Sequence, residues 1–428
     1  MPQALRLLAP TLAVIIAGAC SSFHPTDVKN PNLTDQQFLN TPAAGAAWLR
    51  GTQRQFLITL NSVVQNGELV SDNYFNNYTT NNQQFDAPNI LYIDPEVTSI
   101  QNAIARLRYM GTFGLDSVFP RDPLVTVNDK AEMLYYRGVA SLWAGEMYVG
   151  LPAVANGAVV DWQTHLASAI TDFQQARTLS TESNSMQGVL TSSVNNFQPL
   201  PRLDFLDPKY PNRGTTVVSP IAFLKAEEAH LIIAEGLLSD NNLVAAKDRL
   251  TQLLTLVKSR TVEAVDSRLQ LRGRAGGKTN YPNTADSKVS FAPGAPLLDG
   301  FVLARTATTM VPTVSGTSVT AAQIAAAATI DDAQYLLYLM RQEIFIAEGR
   351  RMADLGIRMP VAQTEIIANA NTKDGATYTL AVIPSFIPTA FGMDGFTYDA
   401  TAKTAIMKFD MNRVLVANKT APQIFPFK

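Results

Sequence analysis

Apolar residues recur at steps of three and four along several stretches of the chain, a pattern typical of amphipathic α-helices. These stretches cover residues 41–64, 97–118, 129–150, 162–176, 220–238 and 242–257. Strand-type alternation between them is rare, and short strand-like pieces occur mainly within residues 373–408. The pattern therefore predicts a mainly α fold with a few short strands.

The predicted helices fall into hairpins of similar length. In one hairpin Asp129 is the expected N-cap of the first helix, which should end at Gly150 before Pro152. The second helix should face the first through an apolar stripe, which consists of Trp162, Leu166, Ile170, Phe173 and Ala176. Repeated helical hairpins predict a tetratricopeptide-like helical-repeat solenoid, although the chain shows no strict period of about 34 residues.

The stretch from Tyr338 to Gly356 combines an apolar stripe with many charged residues. The spacing of the stripe predicts one continuous helix of about five turns. Gly349 would cost such a helix ~1 kcal/mol relative to alanine, so we expect another backbone to pack closely against it. We expect structural ion pairs, rather than a catalytic acid pair, from its charged residues, which are Arg341, Glu343, Glu348, Arg350, Arg351 and Asp354.

The N-terminus has the features of an export signal. Arg6 precedes an apolar run from Leu7 to Ala19, which is shorter than the ~20 residues that span a bilayer. Cys20 follows small residues and is the only cysteine among 428 residues. We therefore expect a signal peptide at 1–19, a diacylglycerol-modified Cys20 that starts a tether at 20–40, and one domain at 41–428. The alternative is an unmodified cysteine near a conventional cleavage site.

Composition and motifs argue against several classes of chemistry. A net charge of -2 provides no field for nucleic acid, and a charged fraction of only 16% suits neutral polar ligands. The chain contains only three histidines (His24, His165 and His230), and no H-E-x-x-H, paired CxxC or G-x-S-x-G motif. The Gly-rich segment at 273–279 lacks the first glycine of a phosphate loop. We expect no catalytic residue, metal site or cofactor.

The charged stretch resembles the signature helix of the SusD-like (RagB/SusD) family of nutrient-binding outer-membrane lipoproteins. That helix reads R-x-x-E-[LI]-x-F-E-G-x-R-x-x-D-L, and the matching residues are Arg341, Glu343 or Ile344, Phe345, Glu348, Gly349, Arg351, Asp354 and Leu355. The Arg-Trp-Gly that usually follows is replaced by Gly356-Ile357-Arg358. Residues 131–152, 167–173 and 225–236 resemble further motifs of the family, in the family's order.

The resemblance implies a non-catalytic, lipid-anchored protein of the outer membrane that faces the exterior. Such a protein binds an oligosaccharide or another oligomeric nutrient and delivers it to a TonB-dependent (SusC-like) transporter. Two alternatives remain open. One is an exported helical-repeat scaffold lipoprotein that assembles envelope proteins, and the other is a hydrolase whose acids no motif reveals.

Three long polar segments are candidate ligand loops, at about 66–89, 260–320 and 373–408. The first combines aromatic rings with amides, which suit the apolar faces and hydroxyls of sugars. The candidate ligand residues are Tyr74, Phe75, Asn76, Asn77 and Tyr78, together with Tyr281 from the second segment. The alternative is that these rings pack the loop onto the helices. The three tryptophans, Trp48, Trp143 and Trp162, are expected in the core.

Overall fold

The computed structural model describes residues 38–76, 88–180, 187–189, 197–210, 220–222, 225–266, 281–304, 307–389 and 392–424. The predicted signal peptide, Cys20, most of the tether, and the candidate ligand residues Asn77 and Tyr78 lie outside these residues. Among the described helices, none has both the length and the apolar character needed to cross a membrane.

Helices make up most of the regular structure. In chain order they are α1 (Ala44–Leu69), α2 (Pro95–Phe113), α3 (Val127–Met147), α4 (Trp162–Leu179), α5 (Ala226–Ser239), α6 (Leu243–Lys258), α7 (Ala321–Ala326), α8 (Ile330–Ile344), α9 (Arg351–Asp354), α10 (Gln363–Ala368) and α11 (Met411–Ala417). A π-helical turn (Gly114–Val118) follows α2, and a 3-10 helix covers Pro201–Leu206. The predicted mainly α fold is confirmed.

The strands are short and form small separate sheets. They are β1 (Tyr74–Asn76), β2 (Gly150–Pro152), β3 (Val159–Asp161), β4 (Gln187–Val189), β5 (Phe197–Pro199), β6 (Pro220–Ala222), β7 (Val262–Asp266), β8 (Lys288–Ser290), β9 (Thr308–Pro312), β10 (Phe396–Asp399) and β11 (Thr404–Met407). The pairs β1–β5, β2–β3, β4–β6 and β7–β9 are antiparallel. A three-stranded sheet has the order β10-β11-β8, with β11 parallel to β8.

The hairpin of α3 and α4 exists, with three corrections to the prediction. Thr126, not Asp129, is the N-cap of α3, and Asp129 completes a capping box with it. The helix ends at Met147 because the chain enters β2 at Gly150. Ile170 does not face α3, since its side chain is 56% exposed. The buried residues of α4 are His165, Ala169, Asp172 and Ala176.

Close approaches set the antiparallel packing of α3 against α4. A Cβ placed on Gly138 would meet the Phe173 ring at 2.8 Å, and one on Gly145 would meet the Trp162 carbonyl at 2.7 Å. Arg137 on α3 forms a salt bridge of 2.6 Å with Asp172 on α4. A second hairpin, α5 and α6, turns through Ser239-Asp240-Asn241 as expected, and α8 packs against both of its helices.

The prediction of one continuous helix from Tyr338 to Gly356 is wrong. Helix α8 ends at Ile344 and α9 begins at Arg351. The connecting turn contains two residues with left-handed backbone, Ala347 at φ 60° and Gly349 at φ 73°. A Cβ on Gly349 would lie 2.9 Å from the Val64 Cα atom of α1. The expected close packing of a backbone against Gly349 is therefore confirmed, but it occurs in a turn.

Candidate functional site

The three predicted ligand segments meet at one group of stacked rings, which we call the aromatic cluster: Phe75, Tyr281 and Phe396. Each ring comes from a different segment. Phe75 stacks on Tyr281 with ring centroids 6.1 Å apart, and it meets the edge of Phe396 at 5.3 Å. Tyr281 and Phe396 are 6.0 Å apart and nearly perpendicular. These distances lie within the favourable range for aromatic pairs.

Backbone pairing and hydrogen bonds hold the same three segments. Strand β1 of the first segment pairs with β5, and Tyr281 of the second donates its hydroxyl to the Pro199 carbonyl at the end of β5, 2.9 Å away. The parallel pair β8–β11 joins the second segment to the third. These contacts therefore join segments that are distant in sequence.

The structure places the candidate ligand residues in different environments. Tyr74, Phe75 and Tyr281 retain only 5–7% of their exposure, so these three rings pack in the core. This is the arrangement that the packing alternative anticipated, and Tyr74 also donates its hydroxyl to Asp207, 3.4 Å away. Asn76 pairs through its backbone with Phe197. For Asn77 and Tyr78 the ligand role stays a prediction.

Phe396 was missed by sequence reasoning. It is half-buried on β10, and Tyr398 lies on the same strand two residues further on. Aromatic residues spaced by two within a strand-like piece share one face of the strand, and this spacing was the available signal. Of the tryptophans, Trp143 is in the core as expected. Trp48 is half-buried against the core, and Trp162 is half-buried with the Arg358 guanidinium carbon 4.1 Å from the centre of its ring.

A buried ionic cluster, which consists of Glu68, Lys209, Lys225 and Glu348, fixes the turn between α8 and α9. The ammonium groups of both lysines contact the Glu348 carboxylate, Lys225 at 2.6 Å. Both also donate to the Ile344 carbonyl at the end of α8, at 2.8 and 2.7 Å. Each lysine thus satisfies a buried helix-end carbonyl and a carboxylate together.

Glu68 holds the other side of this turn. Its carboxylate accepts hydrogen bonds from the backbone N–H of Gly349 at 2.7 Å and of Glu348 at 3.1 Å. It also accepts from the Asn73 side chain at 2.8 Å. Burial raises the Glu68 pKa to about 6, against the opposing effect of these hydrogen bonds. Burial likewise lowers the Lys225 pKa to about 7, against the opposing charge of Glu348.

Asp72 links the base of the first ligand segment to α9. It contacts Arg351 at 2.6 Å and Arg202 at 3.1 Å, and all three side chains are buried. Gln342 on α8 donates to Asp72 and to the neighbouring Asn73 at 2.9 and 2.8 Å. Burial would raise the Asp72 pKa, but the charges of the two arginines and the hydrogen bonds of Arg351 and Gln342 hold it below its usual value. The residues just before Tyr74 are thus rigidly held.

The remaining charged residues of the stretch from Tyr338 to Gly356 serve mainly in ion pairs, as expected. Arg341 binds Glu235 at 2.6 Å and Asp354 at 3.7 Å, while Arg350 contacts Glu146 and Glu228 at 3.4 and 3.3 Å. Glu343 is different, because its carboxylate accepts from the hydroxyls of Thr317 and Ser318 and from the Ser318 N–H, at 2.6–2.7 Å. It therefore anchors the end of the second segment.

His165 is a packing residue, as the sequence suggested. It is buried, and its Nε2 atom lies 2.9 Å from the Leu151 carbonyl. Burial lowers the His165 pKa below its usual value. Within the described part of the chain, no group of three or more His, Cys, Asp or Glu side chains is placed to hold a metal ion.

An open groove of about 470 Å³ lies outside the three predicted segments, between α7, the start of α8, and α11. Its most distinctive side chains are Tyr335 and Arg413, whose guanidinium carbon lies 4.3 Å from the centre of the tyrosine ring. Tyr335 also donates its hydroxyl to Asp410 at 3.0 Å. Sequence reasoning missed this groove because its lining comes from helices that show ordinary amphipathic patterns.

Comparison of the chain with protein families, curated proteins and solved structures found no match.

Proposed function

We propose that this chain is a non-catalytic, lipid-anchored binding protein of the SusD-like family. It binds an oligosaccharide or another oligomeric nutrient and delivers it to a TonB-dependent, SusC-like transporter of the outer membrane. The observation that carries the proposal is the convergence of the three predicted ligand segments on the aromatic cluster of Phe75, Tyr281 and Phe396.

A binding role agrees with how this region is built. Ligand loops work best on a rigid scaffold, and the base of the first segment is fixed by Asp72 and Asn73 through Gln342 and two arginines. The rings of the aromatic cluster hold the three segments together. The side-chain amide of Asn77 and the ring of Tyr78 then supply the polar and apolar contacts that a neutral oligomer requires.

We propose that the chain is not catalytic because its clustered carboxylates are engaged in structural contacts. Glu348 pairs with two lysines, Glu343 accepts three hydrogen bonds from the 317–318 segment, and Asp354 pairs with Arg341. Carboxylates in such fixed structural pairs are poor candidates for a glycosidase acid and base, which must face a shared substrate. The hairpins α3/α4 and α5/α6 would be units of a tetratricopeptide-like solenoid that supports the ligand surface.

The first experiment is purification of the natively expressed protein in mild detergent, with mass spectrometry of all co-purifying chains. We expect a large TonB-dependent barrel at near-equal amount and an acylated Cys20. A protein that carries no barrel, or only periplasmic partners, would contradict the import role. It would favour the scaffold alternative, for which Ile232 and Ile233 on α5, 61% and 43% exposed, offer an apolar contact surface.

The ligand surface is tested separately with an Asn77→Ala/Tyr78→Ala variant and a panel of soluble oligosaccharides and peptides. We expect weaker binding of whichever compound the unmodified chain retains, at an unchanged melting temperature. The matched control is Tyr109→Ala, which removes an exposed ring of α2 that lies outside the three segments. Equal affinities in both variants and the unmodified chain would remove the first segment from the ligand surface.

A further inference from the structure

The outer surface of the first two helices has a distinctive combination of side chains. We define the α1/α2 face as Arg50, Arg54 and Ile58 on α1 with Arg106 and Tyr109 on α2, all of which are exposed. Ile58 is 49% and Tyr109 58% exposed. The face is therefore apolar, aromatic and basic at once.

The contacts between α1 and α2 bring these residues onto one side of the molecule. Thr59 of α1 donates to the Ala103 carbonyl of α2 at 3.1 Å, and Trp48 donates to the Met110 carbonyl at 2.8 Å. The helices therefore run antiparallel in direct contact. Because residues three or four apart share a helix face, Arg50, Arg54 and Ile58 form one stripe and Arg106 and Tyr109 another.

The charge of this face is opposite in sign to that of the whole chain, which is -2. Arg50 and Arg54 are the only charged residues of α1 before Glu68, and Glu68 is buried in the ionic cluster. Two acids are near this face: Asp116, which is exposed, follows α2 and acts on Arg137, and Glu132 of α3, which is half-buried, accepts from Gln53 at 2.8 Å. Glu96 lies at the opposite end of α2. An anionic partner would therefore meet three arginines here.

The predicted anchor reaches the molecule at this same helix pair. Phe38, the first described residue, lies 6.2 Å from Trp48 of α1 between ring centroids. Cys20 is 18 residues earlier in the chain. A fully extended tether of this length spans about 60 Å, so an acylated Cys20 keeps the start of α1 within that distance of the bilayer.

We propose that the α1/α2 face lies on the membrane and binds anionic lipid head groups. Arg50, Arg54 and Arg106 contact the phosphates, and Tyr109 and Ile58 enter the interfacial layer, where tyrosine and aliphatic side chains partition favourably. The proposal rests on the proposed lipid anchor for its placement. The lipid chemistry of the face is a separate property that can be measured without the anchor.

The test uses the full mature chain with Cys20→Ser, so that no acyl chain contributes to binding. Flotation with vesicles of pure phosphatidylglycerol is compared with flotation with vesicles of pure phosphatidylcholine. We expect binding to phosphatidylglycerol only, and it should weaken as salt is added. Replacing all three arginines, as Arg50→Gln/Arg54→Gln/Arg106→Gln, should reduce binding about 100-fold, from the contribution of each basic residue near an anionic surface.

A matched control removes three exposed charges from other faces, as Arg177→Gln/Lys258→Gln/Lys373→Gln. It should float like the Cys20→Ser chain, and thermal unfolding checks that both triple variants are folded. Equal loss in both triple variants, or no flotation of the Cys20→Ser chain on either lipid, would overturn the proposal. If the Cys20→Ser chain floats with neither lipid, protection of α1 and α2 from hydrogen exchange in the native complex would identify a protein partner instead. Mass spectrometry of Cys20 reports on the anchor independently.

Discussion

Glu348 and Asp299 each pair with lysine, but the two pairs lie in opposite environments. Glu348 is buried between Lys209 and Lys225, beside a turn that joins two helices. Asp299 meets Lys288 at 3.6 Å, with both side chains at least half exposed to solvent. In water the attraction is screened and ordering the side chains opposes it, whereas burial makes each unpaired charge very unfavourable. Similar pairs of charges should therefore differ greatly in their effect on stability.

The largest effect is expected from Glu348→Gln. This change leaves two buried ammonium groups without their shared carboxylate, and removing one partner of a buried ion pair typically costs ~3–5 kcal/mol. Urea unfolding should show this loss in the free energy of unfolding, with an unchanged dependence on urea concentration. A loss smaller than that of the exposed control Asp299→Asn would mean that solvent reaches the lysines.

Gly349→Ala should be the next most severe change, because it affects the same turn through sterics rather than charge. Alanine would add the strain of φ 73° and place its Cβ 2.9 Å from the Val64 Cα atom. We expect a loss of about 2–4 kcal/mol. Gly375→Ala is the matched control, since Gly375 has φ 75° but no atom within 4 Å of an added Cβ.

Comparing the melting temperatures of the two glycine variants isolates the close approach from the backbone strain. The control should lose only about 1–2 kcal/mol, the typical strain of a left-handed alanine. Equal destabilisation would show that α1 moves away from the turn at little cost. In that event the tight packing of α1 against the turn at Gly349 would not contribute to holding the candidate ligand segment at 66–89.

The same comparison shows what the sequence could and could not predict. The turn of the α5/α6 hairpin was predicted, although α5 begins at Ala226 and not at Pro220, where the chain forms β6. The break after Ile344 depends instead on Glu68, which contacts Gly349 from 281 residues away, and on two lysines more than 100 residues away. An apolar stripe reveals no such partners, so periodicity extended the helix through the break.

The positions of the three polar segments were predictable to a similar degree. Composition located the three segments, because loops rich in Asn, Gly and Ser stand out between amphipathic helices. It did not reveal that Tyr74, Phe75 and Tyr281 are buried, since a ring flanked by amides can face either side. The direction of Phe75 depends on Phe396, which lies in a distant segment and contacts it only in the folded chain.

The ionic cluster should also make stability depend on pH through Glu68. Its pKa is raised by burial from 4.5 to about 6, so the native state binds more protons than the unfolded state between these values. The stabilisation from this group is fully present below pH 4.5 and is lost as the pH rises through about 6. The contribution amounts to about 2 kcal/mol.

Denaturation series at several pH values should resolve this contribution by comparison with Glu68→Gln. The amide oxygen of glutamine still accepts from the Gly349 N–H, but it does not titrate. The unfolding free energy of the unmodified chain minus that of Glu68→Gln should therefore fall as the pH rises from 4.5 through 6, and it should stay constant above pH 7. A difference that is flat over the whole range would place the Glu68 carboxylate in contact with water.

The smallest effect is expected from Asp299→Asn, the exposed counterpart of Glu348→Gln. Both changes replace a carboxylate by an amide of nearly equal size, so they differ chiefly in environment. Because Lys288 and Asp299 are solvated and 3.6 Å apart, we expect a loss of at most ~1 kcal/mol, which should decrease further in high salt. The loss in Glu348→Gln should persist in high salt, since buried charges are weakly screened.

Measuring both variants at low and high salt therefore separates burial from charge as the cause of the difference. If Asp299→Asn proved as harmful as Glu348→Gln, the β8 region would be held by this surface pair, and the parallel contact of β8 with β11 would contribute little to joining the second and third segments.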